Sequence, residues 1–300
     1  MTDNAMKLSV IIPAHNEEEN IVPLLEALES MFAESGLEGE TIVIDDGSTD
    51  ATLQRLEEGG RNRPFLRVVR HLRRRGITAA LETGFAAARG EVLVFYPADL
   101  QYHPRDIPSL VARVDEGYDI VTGWRQGKYG KKRVVSSIYN RLSRIFFKVS
   151  VHDLNGVKAF RREVVADLQF QPDWHRYLVV LAASRGWTVS EVKVPLYPRR
   201  HGSSKFKSDR VLRAFWDFVV VLFVVKFSQK PMVLFGNLGL IFIGIGMALS
   251  VYLSYLHFLG QKIGDRPLLL LAILLLVTGI QFFALGLLGE LIGRRRGRQD

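Results

Sequence analysis

The sequence predicts an α/β domain with a mostly parallel, Rossmann-like sheet, then an amphipathic interface helix and two transmembrane helices. Three observations carry that reading. Apolar runs in the first hundred residues each end in polar, turn-forming residues. Segments with helical apolar spacing separate them, the pattern of a parallel sheet covered on both faces. Near the end of the chain, two stretches long enough to cross a bilayer contain no Asp, Glu, Lys or Arg.

The first apolar run is Leu8-Ser9-Val10-Ile11-Ile12-Pro13-Ala14-His15-Asn16. From Glu17 to Phe32, apolar Ile21, Leu24, Leu25, Leu28 and Phe32 recur at helical spacing. Thr41-Ile42-Val43-Ile44-Asp45-Asp46-Gly47-Ser48 is the second strand, and Ser48 or Asp50 is placed to cap a helix starting near Thr49. Leu66-Arg67-Val68-Val69 reads as a short strand and Thr78 to Ala88 as a helix. The third run, Val92 to Phe95, leads into Tyr96-Pro97-Ala98-Asp99-Leu100-Gln101. Open α/β sheets bind ligands at the carboxyl ends of their strands. Oxygen groups there can hold a hard cation on a diphosphate.

The middle of the chain is more mixed. Asp119 to Gly123 and Thr188 to Tyr197 read as strands, and Val134 to Val149 as a basic helix. No internal repeat or low-complexity segment is found.

The protein has 300 residues and a formal charge of +9. With an apolar tail, that excess points to anionic lipid or phosphorylated substrates, and no nucleic-acid partner is expected. The absence of cysteine excludes disulfides, thiolate metal sites and a cysteine nucleophile. The first residues lack a basic segment followed by an apolar core, so no secretory signal is expected.

The apolar stretches are Pro231 to Gln261 and Pro267 to Gly289. A charge at mid-bilayer costs about 3 kcal/mol, which makes two clean runs read as spans. Arg294-Arg295-Arg296-Gly297-Arg298 follows the second, whereas the connecting loop has only Lys262 and Arg266. The positive-inside rule then puts both termini and the large domain on the cytoplasmic side. Leu212, Phe215, Trp216, Val219, Phe223 and Phe227 follow helical spacing in a segment too short to cross, which reads as an interfacial helix. The expected divisions are 1–208, 209–230 and 231–300. Gly236, Gly239, Gly244 and Gly246 suit close helix packing, within one chain or between chains of a homo-oligomer.

The ordered motifs along nearly the whole chain resemble glycosyltransferase family 2 with the GT-A fold, in its polyprenyl-phosphate branch. Ser9 to Glu18 resembles the opening strand, Asp45-Asp46-Gly47-Ser48 the nucleotide-binding turn, and Ala98-Asp99-Leu100-Gln101 the end of an Asp-Ala-Asp-Leu-Gln metal motif. Asp153 to Arg161 resembles a downstream Asp-x-x-x-Gly-Phe-Arg block, and Arg199 to Lys205 an Arg-x-x-Gly-x-Ser-Lys segment. The resemblance implies inverting transfer of a hexose from a nucleoside-diphosphate sugar, linked to UDP or GDP, to polyprenyl phosphate at the cytoplasmic membrane face.

It implies nucleotide-sugar contacts at Pro13, Ala14, Asn16, Glu17, Asp45, Asp46, Gly76, Ala98 and Asp99. Mg²⁺ or Mn²⁺ would be held by Asp99 and Gln101. Asp99, Arg199 and Lys205 are the catalytic candidates, and Arg125, Lys158, Arg199 and Lys205 the acceptor-phosphate candidates. A phosphate monoester is mostly dianionic near pH 7, so no general base is required. His15, His175 and His201 read as structural groups or phosphate donors. Three positions depart from the pattern: Pro97 replaces the first metal-motif acid, Lys158 replaces Arg, and Gly76-Ile77-Thr78 replaces Gly-Lys-Gly. Two other readings stay open. A catalytically silent membrane scaffold would tolerate Pro97. A processive polysaccharide synthase would carry a Gln-x-x-Arg-Trp motif, which this sequence lacks.

Overall fold

A computed structural model describes residues 6–127, 147, 149, 151–154, 156–168, 174–198, 209–227, 230–264 and 267–296. The chain divides into two compact units, Met1–Ser208 and Asp209–Asp300.

The first unit is built on a seven-stranded sheet of order β3-β2-β1-β4-β6-β5-β7. The strands are β1 (Leu8–Ala14), β2 (Gly39–Asp46), β3 (Leu66–His71), β4 (Val92–Phe95), β5 (Ile120–Gln126), β6 (Lys158–Arg161) and β7 (Val189–Pro195). β1 pairs in parallel with β2 and β4, and β2 with β3. β6 runs against both β4 and β5, while β7 is parallel to β5. Every strand except β6 therefore ends at the same rim. Lys158, the first residue of β6, lies at that rim, in register with Phe95 on one side and Thr122 on the other.

Helices cover the sheet. α1 (Glu18–Ser35) buries Ile21, Leu24, Leu25, Leu28 and Met31, carries two acids in its first turn, and ends at Gly36 with φ 65°. That left-handed residue satisfies a terminal carbonyl through its amide. Met31 takes the last buried position expected for Phe32, which instead meets the Phe65 ring at 5.2 Å. α2 (Thr52–Gly60), α3 (Ile77–Ala87) and α4 (Ile107–Asp115) follow β2, β3 and β4. α3 lies close on the sheet because Gly84 has no side chain. A Cβ there would stand 2.3 Å from Ile11 Cγ2 and 2.8 Å from Ile44 Cδ1.

Three short elements were not foreseen: β6, α5 (Arg162–Asp167) and α6 (Leu178–Ser184). Each is too short to show a period. The basic helix expected over 134–149 falls almost wholly outside the described residues.

The second unit holds α7 (Asp209–Phe227), α8 (Pro231–Phe258) and α9 (Pro267–Arg296). In α7, Phe218 and Val221 are buried while Trp216 and Val219 are exposed, so burial does not follow the whole expected stripe. Phe223 of α7 meets Phe235 of α8 at 5.9 Å. α8 and α9 are long and apolar enough to cross a membrane. At about 1.5 Å per residue each exceeds the roughly 30 Å hydrocarbon core. Their pairing depends on glycine: a Cβ on Gly239 would come 2.7 Å from the Gly279 carbonyl, and one on Gly279 2.8 Å from the Gly239 carbonyl. Gly236 and Gly246 also face packed atoms, but Gly244 faces open space. The outward faces expose Leu240, Met247, Leu274 and Leu288, the surface that lipid would cover.

Gly84→Val should lower the stability of the detergent-solubilised protein by about 1–3 kcal/mol through overpacking, seen as a lower thermal midpoint. Ala86→Val, at an exposed position of the same helix, should cost less than about 0.5 kcal/mol.

Candidate active site at the carboxyl rim of the sheet

β1, β2 and β4 deliver their ends side by side. Pro13 is half-buried and Ala14 buried at the end of β1. Asn16 follows with φ 56°, and among the described residues the only other non-glycine residue with positive φ is Leu100, beside Asp99. Strained backbone of this kind persists where surrounding contacts hold it, and it gathers at functional sites.

The contacts holding Asn16 are clear. Its amide donates to Ser48 Oγ at 3.0 Å, and its Oδ1 accepts from the Thr49 amide at 2.9 Å. The Glu17 amide donates to Thr52 Oγ1 at 2.9 Å, and Glu17 Oε2 accepts from Asn20 Nδ2 at 2.6 Å. The β1 and β2 exits are thus locked together by short polar side chains.

The two acids of the β2 turn face inward. Asp45 is buried and its Oδ1 accepts from the Ser48 amide at 3.1 Å. Asp46 is 4% exposed. Its Oδ1 accepts from the Arg75 amide and its Oδ2 from the Gly76 amide, both at 2.8 Å. His71 Nδ1 lies 2.8 Å from Asp46 Oδ1, and His71 Nε2 lies 3.0 Å from Thr83 Oγ1. Burial pushes the Asp46 carboxyl up, but His71 and the Arg75 and Gly76 amides outweigh it and leave the pKa below its ordinary value. Asp46 therefore shapes the Arg73 to Gly76 loop. Gly47, with φ 67°, allows the close approach: a Cβ would stand 2.6 Å from the Arg74 amide nitrogen. Gly76 has φ 92° and starts α3 with no side-chain cap.

The β4 exit is tied from three sides. The buried Tyr96 hydroxyl donates to the Tyr102 carbonyl, and burial pushes its pKa well up. Asp99 Oδ1 accepts from the Gln101 amide at 3.3 Å. The Tyr197 amide, just past β7, donates to the Gln101 carbonyl at 2.9 Å. Ala98 is buried, while Pro97, Asp99 and Gln101 are half-buried.

Among the described residues no group of three His, Asp or Glu is arranged to hold a metal ion. Asp99 and Gln101 still offer a carboxylate and a carboxamide at the rim. That donor set fits a Mg²⁺- or Mn²⁺-like ion that takes its other oxygens from diphosphate and water.

The β5 exit carries Arg125, which forms a two-pronged ion pair with Asp153; its Nη2 lies 2.9 Å from Asp153 Oδ1. Lys158, an acceptor-phosphate candidate by sequence, is 1% exposed, and its Nζ donates to the Gly156 carbonyl at 2.8 Å. Arg199 and Lys205 lie outside the described residues. Sequence reasoning missed His71 and Asp153 as holding groups. Asp153 stood inside a recognised block; His71 had no local signal beyond its place at a strand end.

The chain matches the glycosyl transferase family 2 model over residues 9–169. It is 32% identical to a dodecaprenyl-phosphate galacturonate synthase of Rhizobium johnstonii, covering 99% of this chain and 90% of that protein. It is 30% identical to an undecaprenyl-phosphate 4-deoxy-4-formamido-L-arabinose transferase of Pseudomonas fluorescens, covering 96% and 85%. A similar solved fold is glucosyl-3-phosphoglycerate synthase from Mycobacterium tuberculosis with Mn²⁺, UDP and glucosyl-3-phosphoglycerate. There the TM-score is 0.57 and the identity 24%, over 73% of this chain and 79% of that one. The same synthase with Mg²⁺ and UDP gives a TM-score of 0.56 at 24% identity, over 73% and 78%.

Asp46→Asn should destabilise the protein by about 1–3 kcal/mol at neutral pH, because one oxygen becomes a donor facing an amide. The Asp46 pKa is lowered by folding, so its contribution is present above the unfolded value and lost as pH falls through the folded one. The gap between wild type and variant in thermal unfolding should therefore narrow below about pH 4.

Proposed function

The chain belongs to glycosyl transferase family 2, and from that premise we propose that it transfers a sugar, with inversion, from a nucleoside-diphosphate donor to a polyprenyl phosphate. The observation that carries the acceptor is the length of the match. The similarity to polyprenyl-phosphate transferases extends over 99% and 96% of the chain, through α8 and α9 as well as the catalytic unit. Likeness to the galacturonate synthase supports a hexose or hexuronate, while likeness to the arabinose transferase would favour a pentose derivative, and labelled donors of each kind separate them. The catalytic unit and both termini belong on the cytoplasmic side, as the arginine cluster after the second apolar stretch argues.

The residues divide the work. The locked β1 and β2 exits, with Pro13, Ala14, Asn16 and Glu17, form the nucleotide side. Asp45 and Asp46 act there by holding the turn and the Arg73 to Gly76 loop. Asp99 and Gln101 would hold a divalent cation, which when bound offsets the charge developing on the leaving diphosphate. Arg125, Arg199 and Lys205 supply positive charge for the acceptor phosphate and the departing nucleotide. The phosphate monoester attacks as the dianion it already is near neutral pH, so no side chain need remove a proton. A long polyprenyl tail stays in the bilayer, and two spans keep the enzyme at the same surface.

The test is incubation of the purified protein with labelled nucleotide sugars, polyprenyl phosphate and Mg²⁺ or Mn²⁺. Label should enter the lipid phase as a single sugar on the polyprenyl phosphate. No transfer from any donor would instead mark a silent scaffold, and a long polymer a processive synthase. Asp99→Ala should lower transfer at least about 100-fold, the scale of losing a group that stabilises transition-state charge. Membrane insertion should be unchanged. An active Asp99→Ala enzyme, or full activity in chelator, would overturn the assignment of the metal to Asp99.

A further inference from the structure

The buried ammonium of Lys158 has no part in the reaction as drawn so far. Its Nζ is 2.8 Å from the Gly156 carbonyl and 5.5 Å from the centre of the Phe95 ring. Phe95 is the last residue of β4, four positions before Asp99. Gly156 is pressed onto β5: a Cβ there would stand 2.0 Å from the Gly123 carbonyl, two residues before Arg125. Asp153, three positions before Gly156, grips Arg125 with both oxygens, and its carbonyl accepts from Thr122 Oγ1 at 3.0 Å. Thr122 is also the β5 residue in register with Lys158. One side chain thus joins the β4 exit, the Gly156 backbone and the strand that presents Arg125.

We propose that Lys158 is a positioning residue: it holds the Gly156 backbone against β5, and so sets how Arg125 meets the acceptor phosphate, without touching that phosphate. The inference rests on the acceptor reading above. Arg125 is the partner that reaches outward, its side chain 20% exposed against 7% for that of Asp153.

The surroundings make this clamp sensitive to pH. Burial lowers the Lys158 pKa to about 7; Asp153 raises it and Arg125 lowers it further. Among the described residues, Asp153 and, from β5, Arg125 are the charged groups facing it, while its neighbour on β4, Phe95, carries no charge. The ammonium is therefore present below about pH 7 and lost above it. A departing charge loosens the hold on Gly156 and removes a positive group from behind Arg125. Loss of the acceptor's second proton acts in the opposite direction, near pH 6. Acceptor use should rise through pH 6 and decline above pH 7, in KM for polyprenyl phosphate more than in kcat.

The experiment measures KM and kcat for donor and acceptor from pH 5.5 to 9 in wild type, Lys158→Arg and Lys158→Met. In wild type, KM for polyprenyl phosphate should rise about tenfold between pH 7 and 8.5 while KM for the donor stays flat. Lys158→Arg keeps its charge throughout this range, so it should transfer sugar with the alkaline rise abolished. Lys158→Met should show a raised acceptor KM at every pH. A wild-type acceptor KM that is flat above pH 7 overturns the proposal. So does an alkaline rise retained in Lys158→Arg, or donor and acceptor KM moving together. Should Lys158→Met fail to fold, the wild-type and Lys158→Arg profiles decide. Absence of transfer by wild type at any pH would overturn the acceptor reading itself, a result distinct from transfer with an unchanged profile.

Discussion

One reversed strand holds the catalytic unit together. In the sheet order, β6 alone stands between the β1–β4 half and the β5–β7 half. Its four residues pair with Val92 to Phe95 on one side, and three of them, Lys158 to Phe160, with Ile120 to Thr122 on the other. The residues proposed for the donor sit on the first half and Arg125, proposed for the acceptor, on the second. The distance between them is therefore set through a strip of backbone four residues long. A transferase needs this distance fixed, because in-line displacement depends on how the acceptor and the leaving group are held. Running β6 backwards brings its first residue, Lys158, to the functional rim, where its charge bears on both halves.

The rim is stiff for a related reason. Side chains that look like ligand groups are committed to holding their neighbours. Asp46 organises the Arg75 and Gly76 amides, Asn16 bonds Ser48 and Thr49, and Asp153 grips Arg125. A buried carboxylate holding two amides is strongly directional, and breaking the set leaves unsatisfied donors in a dry environment. Preorganisation of this kind lets the loops meet a charged nucleotide without rearranging when charge develops.

Much of this was legible in the sequence, and the exceptions share a cause. β1, β2 and β4 are long apolar runs with polar tips, and α1 shows its stripe from Ile21 to Leu28; both are local patterns. α8 and α9 follow from composition alone. β6 was hidden because it has four residues and begins with a lysine, a residue almost never fully buried. Its burial depends on Asp153, Gly156 and Phe95, and Phe95 is more than sixty positions away in the chain. The position of Asp46 was visible at a strand end, but its task depends on His71 and the loop after it. Sequence spacing identifies which groups reach the rim. Which way each one faces is decided by partners from other strands.

Pro97 belongs to that same logic. Where the related pattern has an acid, this chain has a residue with a fixed φ and no amide proton. A site with one carboxylate has less charge to hold a cation, so the geometry of that carboxylate matters more. Here the loop carrying it is restrained by Pro97 on one side, the Tyr96 hydroxyl beneath, and the Tyr197 amide on the Gln101 carbonyl. Leu100 is kept at φ 51°, a conformation that a freer loop would relax. Ordering the donor oxygens before binding lowers the entropic cost of coordination, which partly offsets the missing charge. In the proposed reaction a diphosphate would contribute the rest of the negative charge, so metal and nucleotide would bind as a coupled pair. A site arranged this way would hold a cation mainly while the substrate is present.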